Sequence, residues 1–183
     1  GKLAETLNVS RQAITKWESG NGMPDISNLK ALSGVLNVSV DELLSEEAVK
    51  PRYPYESIVE YDIDEIKHFD IKLGSVNCVK MRAGEGEKIK VQLVSDTIEN
   101  LTELVKVKID DIKRRIDVDV NRSKSLSEEL VKEHLSIFIN LPEKYMGDTE
   151  LATHCEKLEL FDIISEKFEL DGAAKDCLLY TSP

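Results

Sequence analysis

The feature that most limits the fold is a change of hydrophobic period near residue 58. Ahead of it, apolar residues recur every three or four positions. Beyond it they recur every second position. A helix lines up i, i+3 and i+4 on one face, whereas a strand lines up i and i+2. One chain therefore has to build two kinds of structure. Past Ile58 the alternating sets are Phe69, Ile71 and Leu73, then Val76 and Cys78; Ile89, Val91 and Leu93; Val105, Val107 and Ile109; Ile116, Val118 and Val120; and Leu135, Ile137, Ile139 and Leu141. Two shorter pairs, Leu158 with Leu160 and Phe168 with Leu170, lie ten residues apart. Each set predicts a strand with one buried face. Helical interruptions are expected around Thr97 to Leu104 and Ser127 to His134, with Ser127 opening the second. So many short strands point to an all-β layer, sandwich or solenoid.

The helical part is organised around NVSRQAITKWESGNG, Asn8 to Gly22. Asn8 and Val9 make a tight turn, and Ser10 can cap the next helix by accepting from a free N–H of its first turn. Ala13, Ile14 and Trp17 then share one apolar stripe. Arg11, Gln12, Thr15 and Lys16 occupy the other side, and two glycines with an asparagine end the helix. Further on, Asp25 caps a helix carrying Ile26, Leu29, Leu32, Val35 and Leu36, and Ser39 with Glu42 has the spacing of a capping box. Arginine can bond guanine O6 and N7 together, and glutamine can do the same to adenine N6 and N7. Both stand in a first helical turn, where a helix-turn-helix meets base edges.

The run LAETLNVSRQAITKWESG, with MPDISNLKALSGVLNVSVDELL after it, resembles the Cro/C1-type (xenobiotic-response-element) helix-turn-helix family of bacterial and phage regulators. Leu3, Ala4 and Leu7 match that family's second helix, and Val9-Ser10 its turn. Ile14, Trp17 and Glu18 match the packing face of its third helix. Pro24 and Asp25 match the start of the fourth, and Val38 to Leu44 the fifth. The resemblance implies base reading by Arg11, Gln12 and Lys16, with Ala13 near a thymine methyl. It implies phosphate contacts at Ser10, Thr15, Ser19 and Asn21. It also implies a first helix ahead of Gly1, so the chain is expected to be a fragment.

Residues 46–57, EEAVKPRYPYES, hold two prolines and no periodicity, and read as a linker whose Tyr53 and Tyr55 dock on a neighbouring surface. The later stretch from Ser136 to Asp176, with its aliphatic-proline step Leu141-Pro142, resembles the bacterial repeat-β family called "putative adhesin". That resemblance implies stacked rungs, with Leu158, Leu160, Phe168 and Leu170 pointing inward on successive ones. Asp176 to Pro183, DCLLYTSP, departs from the pattern and reads either as an edge strand or as foreign sequence at a truncation point.

Charge adds a constraint. The net charge is −11, and residues 1–50 carry 5 basic and 7 acidic side chains, so nearly all the acidity lies in the β part. That part should repel nucleic acid and anionic membranes. Aromatic residues make up 5% of the chain, too few for a single-strand stacking platform. No apolar run approaches the ~20 residues of a membrane helix. Cys78, Cys155 and Cys177 are widely spaced and form no C-x-x-C, as expected of reduced cytosolic thiols.

The residue types that could carry reactive chemistry stand in structural settings. His68, His134 and His154 are scattered, and His154-Cys155 in a strand would point to opposite faces, so no metal site is expected. Arg82 to Glu87 lacks the Lys-Ser/Thr of a phosphate loop and reads as a turn. Asp110-Asp111, Asp117 and Asp119 lie among Lys113, Arg114 and Arg115, as on a solvated, charge-balanced strand face. Some regulators with this DNA domain carry a self-cleaving serine peptidase that cuts an Ala-Gly bond. Ala83-Gly84 and Gly147-Asp148-Thr149 are its nearest counterparts here, but Thr149 stands where serine is needed and Glu150 where methionine is usual.

The expectation is an α+β chain of two domains: a small all-α helix-turn-helix domain at 1–45 without its first helix, a linker at 46–57, a mainly β domain, solenoid or sandwich-like, at 58–176, and a tail at 177–183. It should act as a cytoplasmic transcription regulator on double-stranded operator DNA, as a homodimer, with no catalytic residues, cofactor or metal. The rival readings are the antitoxin of a toxin–antitoxin pair, the self-cleaving repressor, and an envelope or scaffold protein with a vestigial DNA domain.

Overall fold

The computed structural model describes residues 2–18, 22–36, 38–44, 53–163, 165 and 167–181, with the side chains of Lys2, Glu5, Asp41 and Glu42 left aside. They fall into two compact units, residues 1–50 and 51–183.

The first unit is helical: α1 (Lys2–Thr6), α2 (Arg11–Glu18), α3 (Ile26–Leu36) and α4 (Val40–Leu44). Among the described residues its buried apolar side chains are Ala4, Leu7 and Leu32. Asp25 caps α3, its Oδ1 accepting from Asn28 N–H at 2.8 Å. The stripe expected on α3 is only partly covered. Leu32 is buried and Leu29 half-buried, but Ile26, Val35 and Leu36 are exposed. Among the described residues, helices of 5, 8 and 5 residues face an 11-residue α3 and leave that part of its stripe open.

The second unit is one eight-stranded open sheet with two short helices. In order it holds β1 (Tyr55–Asp62), β2 (Lys67–Gly84), β3 (Lys88–Ser95), α5 (Leu101–Leu104), β4 (Val105–Ile112), β5 (Arg115–Arg122), α6 (Glu128–His134), β6 (Leu135–Pro142), a 3₁₀ turn (Glu143–Tyr145), β7 (Met146–Phe161) and β8 (Phe168–Tyr180). Both helical interruptions read from the sequence are present. Ser127 caps α6, its Oγ accepting from Leu130 N–H at 3.2 Å. Arg82 to Glu87 runs off β2 into the expected turn.

The long strands β2, β7 and β8 run parallel and stack as rungs. The first half of β2 pairs with β5, and β5 with β4. The second half of β2 pairs with β6, which leads through β3 to β1. The sheet thus has two arms sharing three bent strands, and both arms contribute to one core. The bend is written in the parity of the inward residues. Phe69, Ile71 and Leu73 point in, then Val76, then Val79 and Met81. At the corner Gly74 (φ 68°) lies in register with Thr153, and Thr153 with Gly172 (φ 135°). A Cβ on Gly172 would sit 1.8 Å from the Thr153 carbonyl oxygen, so no side chain fits there. Thr153 closes the corner by donating to Gly74 O at 2.9 Å. The second parity break puts Cys78 on the outward side beside Ser136, with Val79 inward, where simple alternation had placed Cys78 inside.

Five strands of one arm align two rows of matching chemistry. Inward stand Ile109, Val118, Ile71, Leu151 and Leu170. One residue away, on the outer face, stand Asp110, Asp117, Asp70, Glu150 and Glu169. Like charges directly opposite each other destabilise a sheet. The sequence offsets this with cations on the same face: Arg115 Nε lies 2.6 Å from Asp117, Lys72 2.9 Å from Asp70 and Lys167 2.5 Å from Glu169, and Lys108 pairs with Asp110. The His68 ring lies 3.5 Å from Glu150. Those hydrogen bonds push the Lys72, Lys108 and Lys167 ammonium groups above their ordinary value. Asp110, Asp117 and Asp119 thus share the solvated, charge-balanced face that the sequence implies, but Asp111, read with them, turns to the other side, where the buried Lys67 donates to it at 2.9 Å.

Leu158 and Leu160 lie on β7 and Phe168 and Leu170 on β8, so they occupy successive rungs. They do not stack on one another. Leu158 is in register with Cys177, and Phe168 with Thr149. Tyr55 to Ser57, read as linker, begin β1, and Cys177 to Tyr180, set apart as tail, continue β8 as an edge strand. Tyr53 packs edge-on against Phe138 at 5.8 Å, and Tyr55 donates to Glu99 Oε1 at 2.9 Å.

Candidate nucleic-acid interface

The geometry of the turn between α1 and α2 follows from three residues. Val9 N–H reaches back to Ala4 O at 3.0 Å and Leu7 N–H to Leu3 O at 3.0 Å, closing α1. Asn8 then adopts φ 52°, a left-handed conformation that asparagine tolerates better than most residues. Ser10 starts the next helix as expected. Its Oγ accepts from Ala13 N–H at 3.1 Å, while Ser10 O accepts from Ile14 N–H at 3.3 Å. The cap uses a lone pair of the hydroxyl and leaves its hydrogen free to donate elsewhere.

On α2 the residues divide by side as the sequence predicts. Ala13, Ile14 and Trp17 are half-buried, and Arg11, Gln12, Thr15 and Lys16 are exposed. Glu18, matched by resemblance to the packing face, is also exposed. Arg11 and Gln12 are the first two helical residues, and Lys16 follows Gln12 by four positions, on the same face. A guanidinium, a carboxamide and an ammonium group thus share one exposed surface. Thr15 Oγ1 donates to Arg11 O at 3.1 Å, a bond back onto the preceding turn that the sequence pattern does not announce. Ser19 and Asn21 lie outside the described residues.

Past α2, Ser33 Oγ donates to Val38 O at 2.5 Å and Val38 N–H to Ser33 O at 3.1 Å, tying the end of α3 to the start of α4. Ser39 O accepts from Leu43 N–H at 3.1 Å as α4 begins. The capping box proposed for Ser39 and Glu42 falls on a side chain outside those described.

In the β unit the candidate reactive groups are not assembled. Thr149 is in register with Phe69 near the start of β2, while Ala83-Gly84 closes that strand's far end. His154 is exposed and Cys155 buried, on opposite faces, and burial pushes the Cys155 thiol up to about 11. Among the described residues no three His, Cys, Asp or Glu side chains come together as metal ligands. None of the helices described is long and apolar enough to cross a membrane.

The fold and the exposed face of α2 define a helix-turn-helix module joined to a β-rich unit, and comparison with known proteins agrees for the first part. Residues 2–43 match the helix-turn-helix family model, so the N-terminal stretch is a helix-turn-helix domain of Cro/C1 type. Over 46 residues the chain is 56% identical to the HTH-type transcriptional activator BcrR of Enterococcus faecalis, a match covering 25% of this chain and 22% of that protein. The chain thus spans about a fifth of the length of this curated relative. Among solved structures it is similar to a "putative cell adhesion protein" from Clostridium sporogenes ATCC 15579, at 16% identity and a TM-score of 0.47, over 66% of this chain and 58% of that one. It is also similar to a "putative adhesin" from Parabacteroides merdae ATCC 43184, at 13% identity and a TM-score of 0.35, over 65% and 53%.

Proposed function

We propose that the chain is a transcription regulator that binds duplex DNA by laying α2 in the major groove. The observation that carries this reading is the exposure of Arg11, Gln12 and Lys16 together on a short, serine-capped helix within a helix-turn-helix domain. Arg11 reads guanine through O6 and N7, and Gln12 reads adenine through N6 and N7. Lys16 extends the same surface by one turn, and Ala13 approaches a thymine methyl. Ser10 is suited to a phosphate, because its hydrogen is available while its lone pair caps the helix. Ser19 and Asn21 complete the phosphate contacts. The protein works in the cytoplasm as a homodimer on a two-fold site. Its acidic β unit repels the duplex and serves assembly, sensing or partner contact.

The test is selection of binding sites from a random duplex library with the chain, its Arg11→Ala variant and its Gln12→Ala variant. Each substitution should cost ~1–3 kcal/mol at one base pair and relax the preference there, leaving other positions unchanged. Unaltered preferences in both variants would remove the assigned roles.

A further inference from the structure

We propose that Thr15 is a base-reading residue that recognises a pyrimidine 5-methyl group; the inference rests on the reading that α2 enters the major groove. Resemblance assigns this position to a phosphate. A phosphate oxygen accepts only, so the contact needs the threonine hydroxyl hydrogen. That hydrogen is already committed: Thr15 Oγ1 donates to Arg11 O at 3.1 Å, one turn back along the helix. Thr15 is exposed, so with its hydroxyl folded onto its own backbone the branch left for contact with a neighbour is the Cγ2 methyl. Thr15 follows Arg11 by four positions and Gln12 by three, so it neighbours both from the next turn of the helix. The groove beyond a guanine bound by Arg11 is where that methyl arrives. Apolar contact with the thymine methyl is the recognition available to such a group, and threonine methyls make it. The three residues would then read neighbouring bases by three chemistries: a bidentate cation, a bidentate amide and an apolar contact.

The prediction separates cleanly from a phosphate contact because the two use opposite ends of one side chain. Thr15→Val keeps a methyl and removes the hydroxyl, whereas Thr15→Ser does the reverse. On the DNA side, deoxyuridine in place of thymidine removes only the 5-methyl group. The experiment selects a duplex from a random library with the full chain, then replaces each thymidine by deoxyuridine in turn and measures affinity for the chain and both variants. In each half-site one replacement, besides any at the thymine that Ala13 approaches, should weaken binding of the chain and of Thr15→Val about fourfold, the worth of a buried methyl group. Thr15→Ser should bind the parent duplex about fourfold more weakly than the chain and be indifferent to that replacement. If uracil is tolerated at every position, the methyl reading is overturned; if Thr15→Val alone loses affinity whatever the sequence, it is overturned and the hydroxyl is the contact. If the library yields no enriched sequence, the DNA-binding reading fails and takes this proposal with it.

Discussion

Replacing Ile71 by alanine tests whether the β unit is a stack of rungs whose protection ends at its last strand. Ile71 is fully buried on β2, with Val118 of β5 and Leu151 of β7 beside it in register, both also fully buried. Leu170 on β8 continues the same row but is 39% exposed, because among the described strands β8 pairs with β7 alone. Ile→Ala and Leu→Ala each delete three carbons, worth about 2.4 kcal/mol of transfer free energy at about 0.8 per methylene. At Ile71 the neighbours on both sides are held by their own ladders and cannot close the hole. A cavity contribution adds to the transfer loss, for a total of about 3–4 kcal/mol. At Leu170 a large part of the side chain is already in water and no closed cavity forms, so the loss is about 1–1.5 kcal/mol. Urea unfolding followed by far-UV circular dichroism reads the difference. With m near ~2 kcal/mol/M, Ile71→Ala should lower the midpoint by about 1.5 M or more and Leu170→Ala by about 0.5 M, with m unchanged. Equal shifts, or a larger one at Leu170, would refute the rung argument.

Two further outcomes follow from single contacts. Trp17, the one tryptophan, lies on α2 in the helical unit, whereas all five tyrosines lie in the β unit, so tryptophan fluorescence follows the helices separately. Ser10→Ala removes the cap on Ala13 N–H and should destabilise the Trp17 transition by ~1 kcal/mol while leaving the β-sheet dichroism transition in place; a shift of both together would show that the units do not unfold separately. Burial holds the Cys155 thiol protonated up to about 11, well above its value in an unfolded chain. Its contribution to stability is therefore complete below about pH 8.5 and disappears as the pH rises through about 11. Urea midpoints from pH 8 to 11 should fall more steeply for the parent than for Cys155→Ala, and parallel profiles would contradict the assignment.

The sequence revealed more of the helical unit than of the sheet, and the reason is local. The cap at Ser10, the left-handed Asn8 and the division of α2 into packed and exposed sides depend on residues within one or two turns of each other. The strands β3 to β6 were legible for a similar reason: their inward positions are mostly aliphatic, with Ser95 and Asp111 as polar exceptions near the strand ends. Most of β7 was not, because Thr149 and Thr153 fill inward positions and hide the alternation. Thr153 is buried because its hydroxyl has a partner, the Gly74 carbonyl, 79 residues away in sequence. The start of β1 was missed for the opposite reason. Ser57 faces the core side while Ile58, an apolar residue, is 45% exposed. The corner at Gly74 reverses the side-chain parity of β2, which no periodicity template anticipates. In the interface the sequence singled out Thr15, but only coordinates reveal where its hydroxyl is used.

Removing single ring nitrogens from the DNA most directly tests the central claim that α2 offers Arg11 to a base edge. In a duplex selected by the chain, each guanine is replaced in turn by 7-deazaguanine, which lacks the N7 acceptor but pairs normally. Loss of one arm of a bidentate contact should weaken binding at one guanine per half-site, and Arg11→Ala should erase that sensitivity while the other guanines stay neutral. Binding that ignores every such replacement, or an Arg11→Ala protein that retains the parent's pattern, would contradict the account.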